Sequence, residues 1–211
     1  MRRIPPVLLL GTAAGAALGF AALARAVSQR QLQATDRSAR AQVQSERTRS
    51  GDTAAEAVSL LGSEIVHAPV ALAVSVFLAR KNVGIAAAAL PVLASAVTVA
   101  TSEIFEKGTG IQRPPPGHPK QHETSFPSGH ALETSAVGLT SAYLLGRQEL
   151  VHPAPALAVV AAISVATTAG RIHLDRHWIS DSAGGWLLGI ATAATLCAGY
   201  EALAGRTQHS Y

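Results

Sequence analysis

Charged residues in this chain are confined to short stretches between long uncharged ones, and that spacing restricts the fold more than any other feature. Val7 to Ala24 is eighteen residues without a charge, preceded by Arg2 and Arg3. At about 1.5 Å per helical residue, such a run just crosses a hydrocarbon core of roughly 30 Å. Further apolar runs follow at Ala57 to Ala79, Asn82 to Ser102, Ala131 to Leu145, Pro153 to Gly170 and Ser182 to Tyr200. Backbone polar groups find no water in lipid, so runs of this length are expected as helices. The expectation is an all-α, polytopic membrane protein with six transmembrane helices in one bundle.

Composition supports this reading. Charged residues are 14% and aromatic residues 4% of the 211, too few charges for a well-solvated surface. The formal net charge of +4 raises the question of nucleic acid. The basic residues lie in short segments, with no basic helix face and no interleaved aromatics, so no nucleic-acid partner is expected. Cys197 is the single cysteine, so a disulfide within the chain is excluded.

Three regions are expected. Residues 1–56 form a first span with a polar connector, 57–205 a helical bundle with catalytic loops at 103–130 and 170–181, and 206–211 a tail. A cleaved signal peptide is the competing reading of the first span, with small residues at Ala24 and Ala26. The connector, Val27 to Thr53, is rich in Gln, Arg, Ser, Asp and Glu and is read as solvated, partly helical and without chemistry. Glu64 and His67, inside the second span, are assigned a packing or supporting role. Pro91 is expected to kink the third span. Gly11, Gly15 and Gly19 in the first span, and Gly185 and Gly189 in the last, form small-residue stripes for close helix contact and a route to a homo-oligomer.

Chemistry concentrates in Gly170 to Asp181, GRIHLDRHWISD. If the chain turns helical near Trp178, His177 and Asp181 lie one turn apart on one face. A carboxylate there accepts a proton from one imidazole nitrogen and leaves the other as a base or nucleophile. Arg171 can hold an anion against it. Two spans separate this loop from the one carrying Lys107, Arg113 and Pro127-Ser128-Gly129-His130, so both open on the same membrane face. A helix beginning near Ser128 offers backbone N–H groups and a favourable dipole to a phosphate. The reading that follows is that His177 attacks phosphorus and His130 protonates the leaving oxygen.

These pieces, in this order, resemble the type 2 phosphatidic acid phosphatase superfamily of membrane lipid phosphatases. The family signature is a Lys and an Arg-Pro, then Pro-Ser-Gly-His, then Ser-Arg, five residues, His, three residues and Asp. Pro127 to His130 match the second part in full, and Arg171, His177 and Asp181 match the third, with Gly170 where serine is usual. Five residues separate Lys107 from Arg113, where the family has six. The resemblance covers roughly Ser102 to Leu203. It implies a phosphohistidine on His177, orientation of that ring by Asp181, and His130 acting on the leaving group. Lys107, Arg113, Ser128, Gly129 and Arg171 would bind the phosphoryl oxygens, and no metal or other cofactor is required.

His118, His122, His130, His173, Asp175 and His177 raise a metal site, but there is no carboxylate cluster for magnesium and no cysteine set for zinc. A vanadate-dependent haloperoxidase would use the same oxyanion pocket, and a non-catalytic bundle that binds or moves lipids would tolerate Gly170 and the shortened first motif. The expected substrate is a lipid phosphate in the bilayer, either a polyprenyl diphosphate such as undecaprenyl diphosphate or a phospholipid phosphate. The resemblance implies a bacterial plasma membrane with the active site on the outer face. Charge counting opposes this: eleven basic residues fall on the catalytic side and six, Arg2, Arg3, Arg80, Lys81, Arg147 and Arg206, on the other.

Overall fold

Prolines open two of the helices, at the first turn where a missing N–H leaves no hydrogen bond unmade. Pro6 begins α1 (Pro6–Ser28) and Pro153 begins α7 (Pro153–His173). The computed structural model describes residues 3–106, 110–115 and 124–208, and the regular structure among them is all helical. The remaining helices are α2 (Gln33–Ser45), α3 (Arg49–Leu60), α4 (Glu64–Arg80), α5 (Ile85–Glu106), α6 (Gly129–Arg147) and α8 (Ile179–Gln208). Among the described residues, five helical stretches are long and apolar enough to cross a membrane: Pro6–Ser28, Arg49–Arg80, Ile85–Phe105, Pro153–His173 and Ile179–Gly205. Pro91 lies inside the continuous helix α5.

The bundle is built around α6, which packs against α4, α5, α7 and α8. This helix is absent from the apolar set because it carries Glu133, Thr134, Ser135, Thr140 and Ser141, all buried. A helix screened from lipid by its neighbours has no need of an apolar exterior. The α8 stripe faces it closely: a Cβ on Gly185 would lie 2.4 Å from Ser128 O, and one on Gly189 2.7 Å from Leu132 O. That stripe is therefore used inside the chain. On α1, Gly19 meets Leu187 of α8, whereas Gly11 and Gly15 face open space. Outward faces carry Val7, Leu18, Ile65, Leu72, Ile85 and Val165, all exposed, as a lipid-facing surface would.

At one end of the bundle, the fully buried carboxylate of Glu201 accepts from Tyr143 Oη at 2.8 Å and Arg147 Nε at 2.8 Å. Arg3 Nε pairs with the same carboxylate at 2.7 Å, so the chain start, α6 and α8 are joined there. Helix α8 continues to Gln208, three residues past the expected bundle end at Gly205.

The connector is helical over α2 and the start of α3, with most of its residues exposed, and its inner side packs on α7 and α8. Thr48 caps α3 by accepting from Gly51 N at 3.1 Å, so the helix that leads into the apolar run at Ala57 starts two turns earlier, at Arg49. What nothing local in the sequence announces is that Asp36, Arg40, Gln44 and Arg47 have partners more than a hundred residues away.

Candidate active site

The site loop is shaped by how α7 ends. Arg176 N donates to Arg171 O at 2.9 Å and Asp175 N to Ile172 O at 3.1 Å, the pairing of a Schellman motif. Its left-handed position is occupied by Asp175, at φ 56°, where glycine is usual. Asp175 is only 5% exposed and its carboxylate is held by the connector. Arg40 Nε donates to Oδ1 at 2.7 Å, Gln44 Nε2 to Oδ1 at 3.0 Å and Arg47 Nη1 to Oδ2 at 3.0 Å. Two further ties flank it. His173 Nε2 lies 3.0 Å from Asp52 Oδ1, and Asp36 accepts from Ser180 N at 3.1 Å and Ser180 Oγ at 2.8 Å. A carboxylate at the first turn of α8 also complements that helix dipole. Burial holds the Asp36 carboxyl above its ordinary pKa, although the Ser180 hydrogen bonds pull the other way.

His177 follows two residues after this turn, almost wholly buried. Its Nδ1 lies 2.9 Å from Ser125 O and 3.4 Å from Asp181 Oδ2. A carbonyl can only accept, and Asp181 Oδ2 already accepts from Trp178 N at 2.8 Å, so Nδ1 carries the proton. The lone pair is then on Nε2. Arg113 Nη1 and Arg171 Nη2 each lie 3.3 Å from it. Burial, followed by the charges of Arg171 and Arg113, pushes the His177 pKa well below its ordinary value, against the opposing pull of Ser125 O. The ring is neutral at pH 7, with its free nitrogen between two guanidinium groups. The sequence reading gave orientation of this ring to Asp181 alone; the shorter contact is the Ser125 carbonyl, which no side-chain pattern could reveal.

A cavity of about 470 Å³ opens over that nitrogen, lined by Arg113, Gly129, His130, Arg171 and His177, with Glu64 and Glu133 on its wall. His130 is the second residue of α6. His67 Nε2 lies 3.0 Å from Thr134 Oγ1, which donates to His130 O at 2.8 Å, so His67 braces the first turn of α6 from α4. Gly129 opens α6, and its amide is at the cavity end of the helix dipole. Ser128 needs a correction: its amide was expected to point at an anion but donates to Asp181 O at 2.9 Å. Among the described residues the buried Ser128 hydroxyl has no hydrogen-bond partner, and the same holds for Arg171 Nε and Ser102 Oγ. Lys107, His118 and His122 lie outside the described residues. A larger cavity, about 720 Å³, lies on the connector side and shares Arg113, but contains neither histidine of interest.

Among the described residues no three His, Cys, Asp or Glu side chains converge as a ligand set. His173, Asp175 and His177 do not form an extended chelating strand, since His173 ends α7 and Asp175 turns left-handed to meet the connector.

The family model of the PAP2 superfamily matches residues 89–203, more than half the chain. The chain belongs to the PAP2 superfamily. The matched span contains α6, α7, most of α8 and each site residue named above except those of the connector and α4. A solved structure gives a fold-level comparison for this PAP2 chain. The crystal structure of the first transmembrane PAP2 type phosphatidylglycerolphosphate phosphatase from Bacillus subtilis superposes with a TM-score of 0.80. The match covers 91% of this chain and 96% of that one at 20% identity, a likeness of fold. Comparison with curated protein sequences found no match.

Proposed function

We propose that this PAP2 protein is an integral membrane phosphatase that removes a terminal phosphate from a lipid head group through a phosphohistidine on His177. The observation that carries the reading is the geometry around His177: Ser125 O and Asp181 face Nδ1, and two guanidinium groups lie beside Nε2. In the first step Nε2 forms a bond to phosphorus as the bond to the lipid oxygen breaks. His130, protonated, gives its proton to that oxygen. Positive charge developing on the attacking ring is stabilised through Nδ1–H by Ser125 O and Asp181. Arg113, Arg171, the Gly129 amide and the Ser128 hydroxyl bind the equatorial phosphoryl oxygens, whose charge is greatest in the transition state. Lys107 joins them in this reading. In the second step water attacks phosphorus, His130 takes its proton, and His177 leaves as the neutral ring. No step calls for a metal.

The membrane topology we propose has six spans, α6 being the sixth by virtue of its place at the centre of the bundle. With Ile65 and Val99 on its wall, the cavity gives an acyl or prenyl tail a way in between α4 and α5. The substrate class is a phospholipid phosphomonoester or a polyprenyl diphosphate; the fold shared with the Bacillus enzyme favours the phospholipid. The active site faces outward from a bacterial plasma membrane, and the exposed Gly11–Gly15 stripe of α1 is the face open to a second copy.

The test is release of inorganic phosphate by the purified protein from phosphatidylglycerophosphate, phosphatidate and undecaprenyl diphosphate. Turnover should survive chelator and vanish in His177→Ala. Binding of these lipids without turnover would favour the non-catalytic bundle.

A further inference from the structure

Arg171 is a buried cation that no carboxylate pairs with among the described residues. It is 8% exposed, and among the described residues its guanidinium has two hydrogen-bond partners. One is His177 Nε2, the reacting atom in the mechanism above. The other is Ser59 Oγ on α3, 3.4 Å from Arg171 Nη1. Ser59 is itself only 2% exposed and lies 112 residues earlier in the chain.

The helices are shaped to make that contact. On α7, a Cβ at Gly170 would lie 2.7 Å from Ala55 O and 2.9 Å from Val58 Cγ2. At the α3–α4 junction, a Cβ at Gly62 would lie 2.2 Å from Thr167 Cγ2. Thr167 Oγ1 donates to Val58 O at 3.3 Å between these two points. The two glycines thus let α3 approach α7 on either side of Ser59. The atom blocking a side chain at 170 is backbone, so a larger residue there cannot be accommodated by a rotamer change.

We propose that Ser59 is the positioning residue for Arg171, holding the guanidinium toward the phosphoryl site through a neutral hydroxyl delivered by α3. The neutrality matters. A carboxylate in this place would hold the arginine firmly but would also cancel its charge and compete with phosphate. A hydroxyl orients one edge of the guanidinium and leaves its charge for the ligand. Arg171 Nε, buried and without a partner among the described residues, is a donor that an anion would satisfy. The proposal rests on the phosphatase reading for its consequence in turnover, but not for its consequence in phosphate binding.

The experiment measures affinity for inorganic phosphate by calorimetry in detergent, and turnover of phosphatidate, for wild type, Ser59→Ala, Arg171→Ala and the double variant. Loss of one hydrogen bond to a charged group predicts about a tenfold weaker phosphate affinity in Ser59→Ala and a similar fall in kcat/KM. In the Arg171→Ala background, Ser59→Ala should add nothing, because its effect passes through the arginine. Gly170→Ala, which forces α3 away, should also weaken phosphate binding while the melting temperature tracks its folding. Equal phosphate affinity in wild type and Ser59→Ala overturns the proposal, whether or not the melting temperature falls. Additive losses in the double variant overturn it too. If wild type binds phosphate with this pattern but turns over no lipid phosphate, Ser59 keeps its role and the phosphatase reading fails.

Discussion

His177 is buried beside two arginines, yet Nδ1 keeps its proton because the groups that face it are a carbonyl and a carboxylate. Those arginines make protonation of the ring costly, so its folded pKa lies well below the unfolded value of about 6.5. The sign of the pH effect follows. Between the two values the unfolded chain binds more protons than the folded one, so stability falls as pH drops through and below 6.5. We expect the melting temperature in detergent to decline from pH 7 to pH 5, and His177→Gln to remove part of that decline. A decline unchanged in His177→Gln would mean that this ring is not the group resisting protonation. The same depressed value keeps Nε2 unprotonated for catalysis, so the acid limb of kcat/KM should lie below the ordinary histidine range. Arg113→Ala and Arg171→Ala should each lower kcat by about a hundredfold or more, the scale of losing a transition-state anion donor.

At the scale of elements, the connector helices set the loop that carries His177. Asp175 holds a left-handed turn, and its carboxylate is clasped by Arg40, Gln44 and Arg47 from α2 and the turn after it. Asp175→Gly should keep the turn and lose the clasp, costing about 1–3 kcal/mol because the two freed arginines can reach water. Asp175→Ala should cost about 1 kcal/mol more, the penalty of a Cβ in the left-handed region. Equal stabilities in a denaturation series would contradict that assignment. The GRIHLDRHWISD stretch and Pro127 to His130 were legible because their chemistry is written in residue types at fixed spacing. The apolar helices were legible from unbroken hydrophobicity. Asp36, Arg40 and Arg47 were not, because an arginine facing solvent and one facing Asp175 have the same local sequence. Ser125 O was illegible for another reason, being a backbone atom. Ser59 sits at the end of α3 with no neighbouring motif, and the close approach at Gly170 is what gives it meaning.

On the scale of the whole molecule, α6 organises the fold, although its composition is the least membrane-like of the long helices. The arginine-rich connector also bears on orientation. Arg40 and Arg47 are tied to Asp175 and Arg113 to the site, so part of the basic excess on the catalytic side belongs to site architecture. With six spans and an outward active site, a reporter fused after Tyr211 should be active in the cytoplasm. Activity only outside would reverse the orientation or change the span count. The chemistry has a more direct test: inorganic phosphate released from phosphatidate by purified wild type and His177→Ala, each in chelator. The account predicts sustained release by wild type and none above background by the variant. Equal release by both, or release by wild type that chelator abolishes, would contradict it.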